Sequence, residues 1–373
     1  MSMKGKVRLA RRVSFHLVLI LLSVTTVALS ETLDKGPYLQ NVTSDGATIC
    51  WVTVTETAQG KKHTYHQAPI SGLKPATEYT YYAGERGELK GSFRTAPVAP
   101  ERFRFVAYGD SRTNHAVHRS VLNAISRANP RFVINSGDIV SDGNRMDHWD
   151  EFFEVAGEFM ARVPYWPVLG NHENNASLYY NHFALPGIER YYSFDYGTCH
   201  FVMLDSDDLE LVKQEKQKVA PEVRQKYREA RKDYWQKQIE WLEKDLEAHK
   251  EADFIFVTFH HPLYSSPKSE GRRREQERTR GLFEELLRRY RITAVFNGHD
   301  HVYERNVVDG LHCIVTGGGG ASLYDFGDPL PTSVKRESAH HFVTIDIDGD
   351  TATFTALTPD DKVIDRFQAS ARN

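Results

Sequence analysis

Five strongly apolar runs, each ending in a tight turn with a polar residue at its tip, set the pattern of the chain. Phe103-Arg-Phe-Val-Ala-Tyr108 precedes Gly109-Asp110, and Arg131-Phe-Val-Ile-Asn-Ser136 precedes Gly137-Asp138. Val163-Pro-Tyr-Trp-Pro-Val-Leu169 leads to Gly170-Asn171-His172-Glu173, and Asp253-Phe-Ile-Phe-Val-Thr-Phe259 leads to His260-His261. Ile292-Thr-Ala-Val-Phe296 leads to Gly298-His299-Asp300-His301. Runs of this length, apolar without alternation, read as strands buried on both faces. The intervals carry helical spacing. His115 to Asn129 places Val117, Val121, Leu122 and Ile125 on one face behind a cap at Thr113 or Asn114, and Trp149, Phe152, Phe153, Ala156, Phe159 and Met160 repeat the spacing. Strands alternating with amphipathic helices predict an α/β fold with a largely parallel sheet covered on both faces. Ligands of such sheets bind outside the carboxyl ends of the strands. All five polar tips fall there, so Asp110, Asp138, Asn171, His260, His299 and His301 are expected to converge.

The flanks follow other periods. From Gly36 to Pro97 the pattern is all-β: Thr48-Ile-Cys-Trp-Val-Thr-Val is a strand, Thr77-Glu-Tyr-Thr-Tyr-Tyr alternates, and Phe93-Arg-Thr-Ala-Pro97 reads as a last strand entering a linker. From His341 an alternating run folds back on itself as a closing hairpin. Leu209 to Lys250 is charge-dense, with Trp235, Ile239, Leu242 and Leu246 as its apolar stripe, and reads as a helix with a solvated face. The balanced run Arg272-Arg-Arg-Glu-Gln-Glu-Arg278 is assigned to solvated surface, and Gly317 to Gly320, which lacks the Lys-Ser/Thr of a P-loop, to a flexible loop.

Composition changes this picture in three places. Lys4, Lys6, Arg8, Arg11 and Arg12 precede an apolar stretch from Phe15, and Ala28-Leu29-Ser30 offers small residues before Glu31. This has the form of a secretory signal over residues 1–30, which places the mature protein outside the cell or in the periplasm, with an uncleaved anchor as the lesser alternative. Those five basic residues have no acidic counterpart, so removing them takes the formal charge from −3 to −8. An acidic surface speaks against a general polyanion binder, and no nucleic-acid binding and no stable membrane span are expected. The three cysteines, Cys50, Cys199 and Cys313, lie in apolar strand-like runs and read as buried thiols.

Two carboxylates, an amide and three imidazoles suit two divalent ions, Zn, Mn or Fe. A lone His-x-His such as His299 and His301 is ordinarily a surface or core pair; the four other tips change its meaning. A metal pair can hold a phosphate despite an acidic surface, activate a water and stabilise both oxygens of an in-line displacement.

"GDSR", "GDIV", "GNHE", "VTFHHP" and "GHDH", in that order, resemble the five-block signature of the calcineurin-like metallophosphoesterases, as arranged in purple acid phosphatases. "GPYLQNVTSDGATICWVT", "ISGLKPATEYTYYAG" and "FRTAP" resemble the fibronectin type III-like domain that precedes the catalytic domain in that branch. The resemblance implies a β-sandwich flanked by helices in αββα layers over residues 98–373, preceded by the fibronectin type III-like domain at 31–97. The stretch from Val54 to His66 is short for that domain, so one or two strands are expected to be missing. It further implies that Asp110, Asp138 and His301 hold the first metal and Asp138, Asn171, His260 and His299 the second. His172 would contact the substrate phosphate or protonate the leaving oxygen. The implied activity is hydrolysis of phosphate monoesters by metal-bound hydroxide, against a phosphodiesterase or nucleotidase on the same scaffold, or an inert secreted binding protein.

The chain departs from that pattern where the purple enzymes carry a tyrosine, since Ser141 stands three residues after Asp138, and Arg112 stands where related enzymes carry a histidine. A colourless enzyme is expected, with the gap at the first metal filled by water, Asn114 or Ser141. No histidine lies between Pro262 and Asn297, where plant-type members place substrate-contacting ones. Arg112 is either a phosphate clamp or a structural salt bridge, and His261 either a group near the substrate or packing.

Overall fold

The fold is given by a computed structural model that describes residues 7–12, 17–22, 31–83, 89–207 and 220–372. The parallel strands expected in one sheet are divided between two. Tyr165–Pro167, Val133–Asn135 and Phe103–Tyr108 run parallel in a six-stranded sheet, completed by the antiparallel strands Phe342–Asp348, Thr351–Leu357 and Val363–Ser370. Cys199–Met203, Phe254–Thr258, Ala294–Asn297 and Leu311–Thr316 run parallel in a seven-stranded sheet, edged by Tyr192–Tyr196 on one side and by Tyr303–Val308 and Ser333–Glu337 on the other.

Strand residues alternate between two cores. Phe254, Phe256, Ala294, Phe296 and Phe201 point inward, where Phe105 of the other sheet meets Phe201 and Phe256 at ring distances of 5.1 Å. Ile255, Val257, Val295 and Val202 point outward onto Trp235, Leu242 and Leu246 of helix Pro221–Ala248. Helices His115–Ala128 and Met146–Met160 cover the other sheet with Val121, Leu122, Ile125, Phe152 and Ala156. The central parallel strands therefore have apolar partners on both faces, a helix on one and a sheet on the other, and the αββα layers account for the unbroken apolar runs.

Several local expectations are met. Asn114 caps the first of these helices, accepting from Val117 N–H at 3.2 Å, and Asn129 ends it in a left-handed conformation. That bond engages the side-chain oxygen of Asn114 as the helix cap. All three cysteines are buried and unpaired.

The N-terminal β unit has a three-stranded sheet, Thr32–Gln40, Ala47–Thr57 and Gly60–Ile70, opposite the hairpin Glu78–Ala83 and Leu89–Arg94. Leu39, Ile49, Tyr79, Tyr81 and Phe93 fill the space between them. The unit is fastened to the sandwich: Tyr38 Oη donates to His182 O at 2.6 Å, Tyr81 Oη to Ala161 O at 2.8 Å, and Lys35 pairs with Asp150. The signal expected at 1–30 lies largely outside the described residues. Within it only the backbones of Val7–Arg12 and Leu17–Leu22 are described, as an antiparallel pair alongside Glu78–Ala83. Among the described residues no helix is long and apolar enough to cross a membrane.

Candidate metal centre

All six expected donors meet at one end of the sandwich, each on the loop leaving a parallel strand. Phe103–Tyr108 delivers Asp110, Val133–Asn135 delivers Asp138, and Tyr165–Pro167 leads to Asn171. From the second sheet, Phe254–Thr258 delivers His260, and Ala294–Asn297 delivers His299 and His301. The turns are sharp enough that Asp110, Asp138 and His299 adopt positive φ angles of 56°, 55° and 69°, a region non-glycine residues enter at a cost and mostly where function demands it. Gly137, at φ 94°, lies so close to its neighbours that a Cβ would stand 2.8 Å from Gly170 N and from His260 Nδ1.

Donor atoms of Asp110, Asp138 and His260 lie within 4.8 Å of one another. His260 Nε2 stands 3.3 Å from Asp138 Oδ1, 3.2 Å from Asn171 Oδ1 and 3.3 Å from His299 Nδ1. His301 Nε2 stands 3.3 Å from Asp110 Oδ1. Backbone carbonyls orient two of the rings: His260 Nδ1 donates to Ser136 O at 2.8 Å, and His301 Nδ1 to Ser322 O at 2.6 Å. Each ring then turns its Nε2 toward the carboxylates, the outer support expected of a metal-ligating imidazole. His299 is held by Glu275 at 2.9 Å through Nε2, which leaves Nδ1 facing His260.

Electrostatics point the same way. Against the cost of burial, His260, His172 and Arg112 hold the Asp138 carboxyl well below the usual range. Burial lowers His260, but Asp138 outweighs it and lifts the imidazole to about 10. Burial and the neighbouring imidazolium of His260 push His299 well down. A buried set of anions and lone pairs that draws a proton onto one member is a set suited to a cation.

The three flanking residues differ in position. His172 is part-exposed; its backbone N–H donates to Asp138 Oδ1 at 3.0 Å, its Nδ1 to Ser141 O at 2.7 Å, and its Nε2 lies 3.8 Å from Asp138 Oδ2. Arg112 Nε donates to Asp138 Oδ2 at 3.1 Å, and its Nη2 is 3.4 Å from His301 Nε2. His261 is buried, with Nδ1 3.0 Å from Ser206 Oγ and its ring 4.4 Å from that of His299.

Four features escape the sequence reading. Glu173, fully buried, accepts from the N–H groups of Asp138, Ile139, Val140 and Gly170 at 2.7 to 3.2 Å, tying the loop of Asp138 to that of Asn171. The run assigned to solvated surface is helix Glu270–Thr279, which lies over the site. Its Arg272 donates to His299 O at 2.6 Å and to Asp300 Oδ1 at 2.5 Å, and its Glu275 holds His299. Tyr324 stacks on His301 at 4.1 Å. Gly317 to Gly320 is no flexible loop but a buried floor. A Cβ on Gly317 would stand 2.4 Å from Asp300 O and 2.9 Å from Asp110 Oδ2, and Gly319 N–H donates to Gly109 O at 2.8 Å.

Residues 103–303 match the profile of the calcineurin-like phosphoesterases. The chain belongs to that family. Among curated proteins it is 30% identical over 289 residues to purple acid phosphatase 15 of Arabidopsis thaliana, a match covering 65% of this chain and 49% of the relative. It thus spans about half the length of that phosphoesterase. Among solved structures, a purple acid phosphatase from yellow lupin seeds superposes with a TM-score of 0.71 at 18% identity, over 90% of this chain and 74% of the other. PhoD superposes at 0.60 with 12% identity, over 92% and 90%. At such identities these two likenesses speak for the fold alone.

Proposed function

We propose that this phosphoesterase-family chain hydrolyses phosphate monoesters at a two-metal centre formed by Asp110, Asp138 and His301 on one side and Asp138, Asn171, His260 and His299 on the other. The observation that carries this reading is the donor set itself: six residues from five separate strand ends, with His260 and His301 turned by Ser136 O and Ser322 O so that their Nε2 atoms face the carboxylates. Bound there, two divalent ions would supply an activated water and offset the charge of the ester. His172 is placed to serve the substrate. Its Nδ1 is engaged by Ser141 O, so the part-exposed Nε2 is the atom left to bind a phosphate oxygen or to carry a proton to the leaving oxygen. Arg112 and His261 are assigned to support of the donor set, the former through its bond to Asp138 and the latter through its contact with His299.

The substrate and export assignments are likewise proposals. The leader over residues 1–30 supports release of a mature chain beginning near Glu31 into the periplasm or the medium. Hydrolysis of p-nitrophenyl phosphate compared with bis-p-nitrophenyl phosphate, with Mn²⁺ or Zn²⁺ supplied, tests the reaction. Faster turnover of the monoester is expected, and Asp138→Ala should abolish it and weaken metal binding. Preference for the diester would shift the assignment to a phosphodiesterase. Turnover of neither, with no metal bound, would remove the enzyme reading. Mass analysis of the exported protein tests the leader, which is refuted by an intact residue 1.

A further inference from the structure

The two ligand sets share Asp138, but they do not present it to equivalent surroundings. Oδ1 of Asp138 faces His260 Nε2 at 3.3 Å, and around that atom Asn171 Oδ1 and His299 Nδ1 stand at 3.2 and 3.3 Å. Oδ2 faces Arg112, whose Nε donates to it at 3.1 Å while Nη2 reaches His301 Nε2 at 3.4 Å. The guanidinium therefore engages two of the three side chains assigned to the first ion. The Nδ1 of His301 is fixed by Ser322 O, so the Nε2 lone pair stays directed at this cation. A guanidinium keeps its charge at any working pH, so it cannot give way by losing a proton. Ser141 stands where a further ligand would be expected, and its carbonyl is engaged by His172.

We propose that Arg112 is an internal competitor for the first ion and makes the two positions load unequally. The inference rests on the two-ion reading above and adds an order to it. An ion held by Asp138, Asn171, His260 and His299 binds tightly and survives dialysis. An ion at Asp110, Asp138 and His301 enters only when the guanidinium swings away from Asp138 Oδ2 and His301, and it equilibrates with free metal. The charge of Arg112 does the work: a monovalent protein cation already compensates the carboxylate oxygen that the incoming dication needs. Occupancy of the first position then follows the free concentration of divalent metal, and Arg112 is a positioning residue that sets the threshold.

The test uses the full-length mature chain, stripped with chelator, reloaded with excess Mn²⁺ or Zn²⁺ and dialysed against metal-free buffer before elemental analysis. Wild type should retain about one ion per chain and Arg112→Met about two. Calorimetric titration of the stripped proteins should show two unequal sites in wild type, with the weaker tightened at least about tenfold in Arg112→Met. Arg112→Lys keeps a positive charge at the position and should stay close to wild type, which separates charge from shape. Two ions retained equally by wild type, or a weaker site that does not tighten in Arg112→Met, would overturn the competition. Binding of no ion by wild type, even in excess metal, would instead remove the two-ion reading and this inference with it.

Discussion

Glu173 is not a proposed ligand, yet the structure makes it the residue whose loss should be felt most widely. Its side chain is fully buried. One oxygen accepts from Asp138 N–H at 2.9 Å and from Gly170 N–H at 2.7 Å; the other accepts from Ile139 N–H at 2.8 Å and Val140 N–H at 3.2 Å. Asp138 sits at positive φ, so the conformation that aims it into the site is held from outside by this carboxylate. Burial and the Asp138 carboxylate push the Glu173 carboxyl up, against the pull of the backbone donors.

Glu173→Ala leaves four buried N–H groups without an acceptor. At about 1–3 kcal/mol for each orphaned group, a loss of at least about 4 kcal/mol is expected. Glu173→Gln keeps the shape and one acceptor oxygen, so two donors lose their partner and about 2–6 kcal/mol should be lost. Glu158, exposed on helix Met146–Met160 and paired with Arg162, is the control; Glu158→Gln should move stability by no more than about 0.5 kcal/mol. Urea denaturation of the metal-free proteins gives the stabilities, and calorimetry gives Mn²⁺ affinity for the variants that fold. A Glu173→Ala protein within about 1 kcal/mol of wild type, binding metal as wild type does, would refute the assignment of Glu173 as the clamp of the Asp138 loop.

Three further outcomes follow from particular contacts. Gly317→Ala drives a Cβ against Asp300 O and Asp110 Oδ2, and should cost about 1–3 kcal/mol by overpacking while reducing metal retention at Asp110, read by thermal melting and elemental analysis. His200 is buried between Asp195 Oδ1 at 2.7 Å and Asp245 Oδ2 at 2.9 Å; burial lowers it, but the two carboxylates prevail and raise it above its ordinary 6.5. The folded state then holds a proton that the unfolded chain releases, so this stabilisation is complete below pH 6.5 and is lost as pH rises through the folded value. His200 should contribute a slope approaching about 1.4 kcal/mol per pH unit to the fall of unfolding free energy above pH 6.5, and His200→Gln should remove that contribution in urea titrations at several pH values. Tyr38→Phe removes the buried bond to His182 O that fastens the β unit to the sandwich, and should cost about 1–3 kcal/mol in a single cooperative transition; a separate early transition in wild-type calorimetry would show that the two units are not fastened as described.

The donors were legible in the sequence because each ends an apolar run, and a run that is apolar on both faces carries its own address: a strand interior, with the ligand at its carboxyl end. The division into two sheets was not legible from those runs. Phe256 meets a sheet and Val257 meets a helix, but both demand the same apolar side chain, so the pattern cannot say which layer lies on which face. Gly317 to Gly320 misled for a related reason. Glycine is chosen for mobility and for close approach alike, and here Asp300 O and Gly109 O occupy the space a Cβ would need.

The helix Glu270–Thr279 was misread because a balanced charge run is normally solvated, and nothing in its spacing marks Arg272 and Glu275 as the residues that turn inward. Their contacts with His299 O and His299 Nε2 depend on a chain reversal between His261 and Glu270 that only the folded structure supplies. Glu173 and Arg112 are a different case, since both stand inside the short motifs that carry the expected donors, GNHE and GDSR. Glu173 follows Asn171 by two residues and holds backbone N–H groups; Arg112 follows Asp110 by two and reaches the carboxylate of Asp138. Proximity in sequence to a ligand therefore located both residues and assigned neither. What separates the two is the partner at the end of the side chain: four N–H groups bind the carboxyl of Glu173 into the scaffold, whereas Arg112 meets the carboxylate of Asp138, the proposed shared ligand.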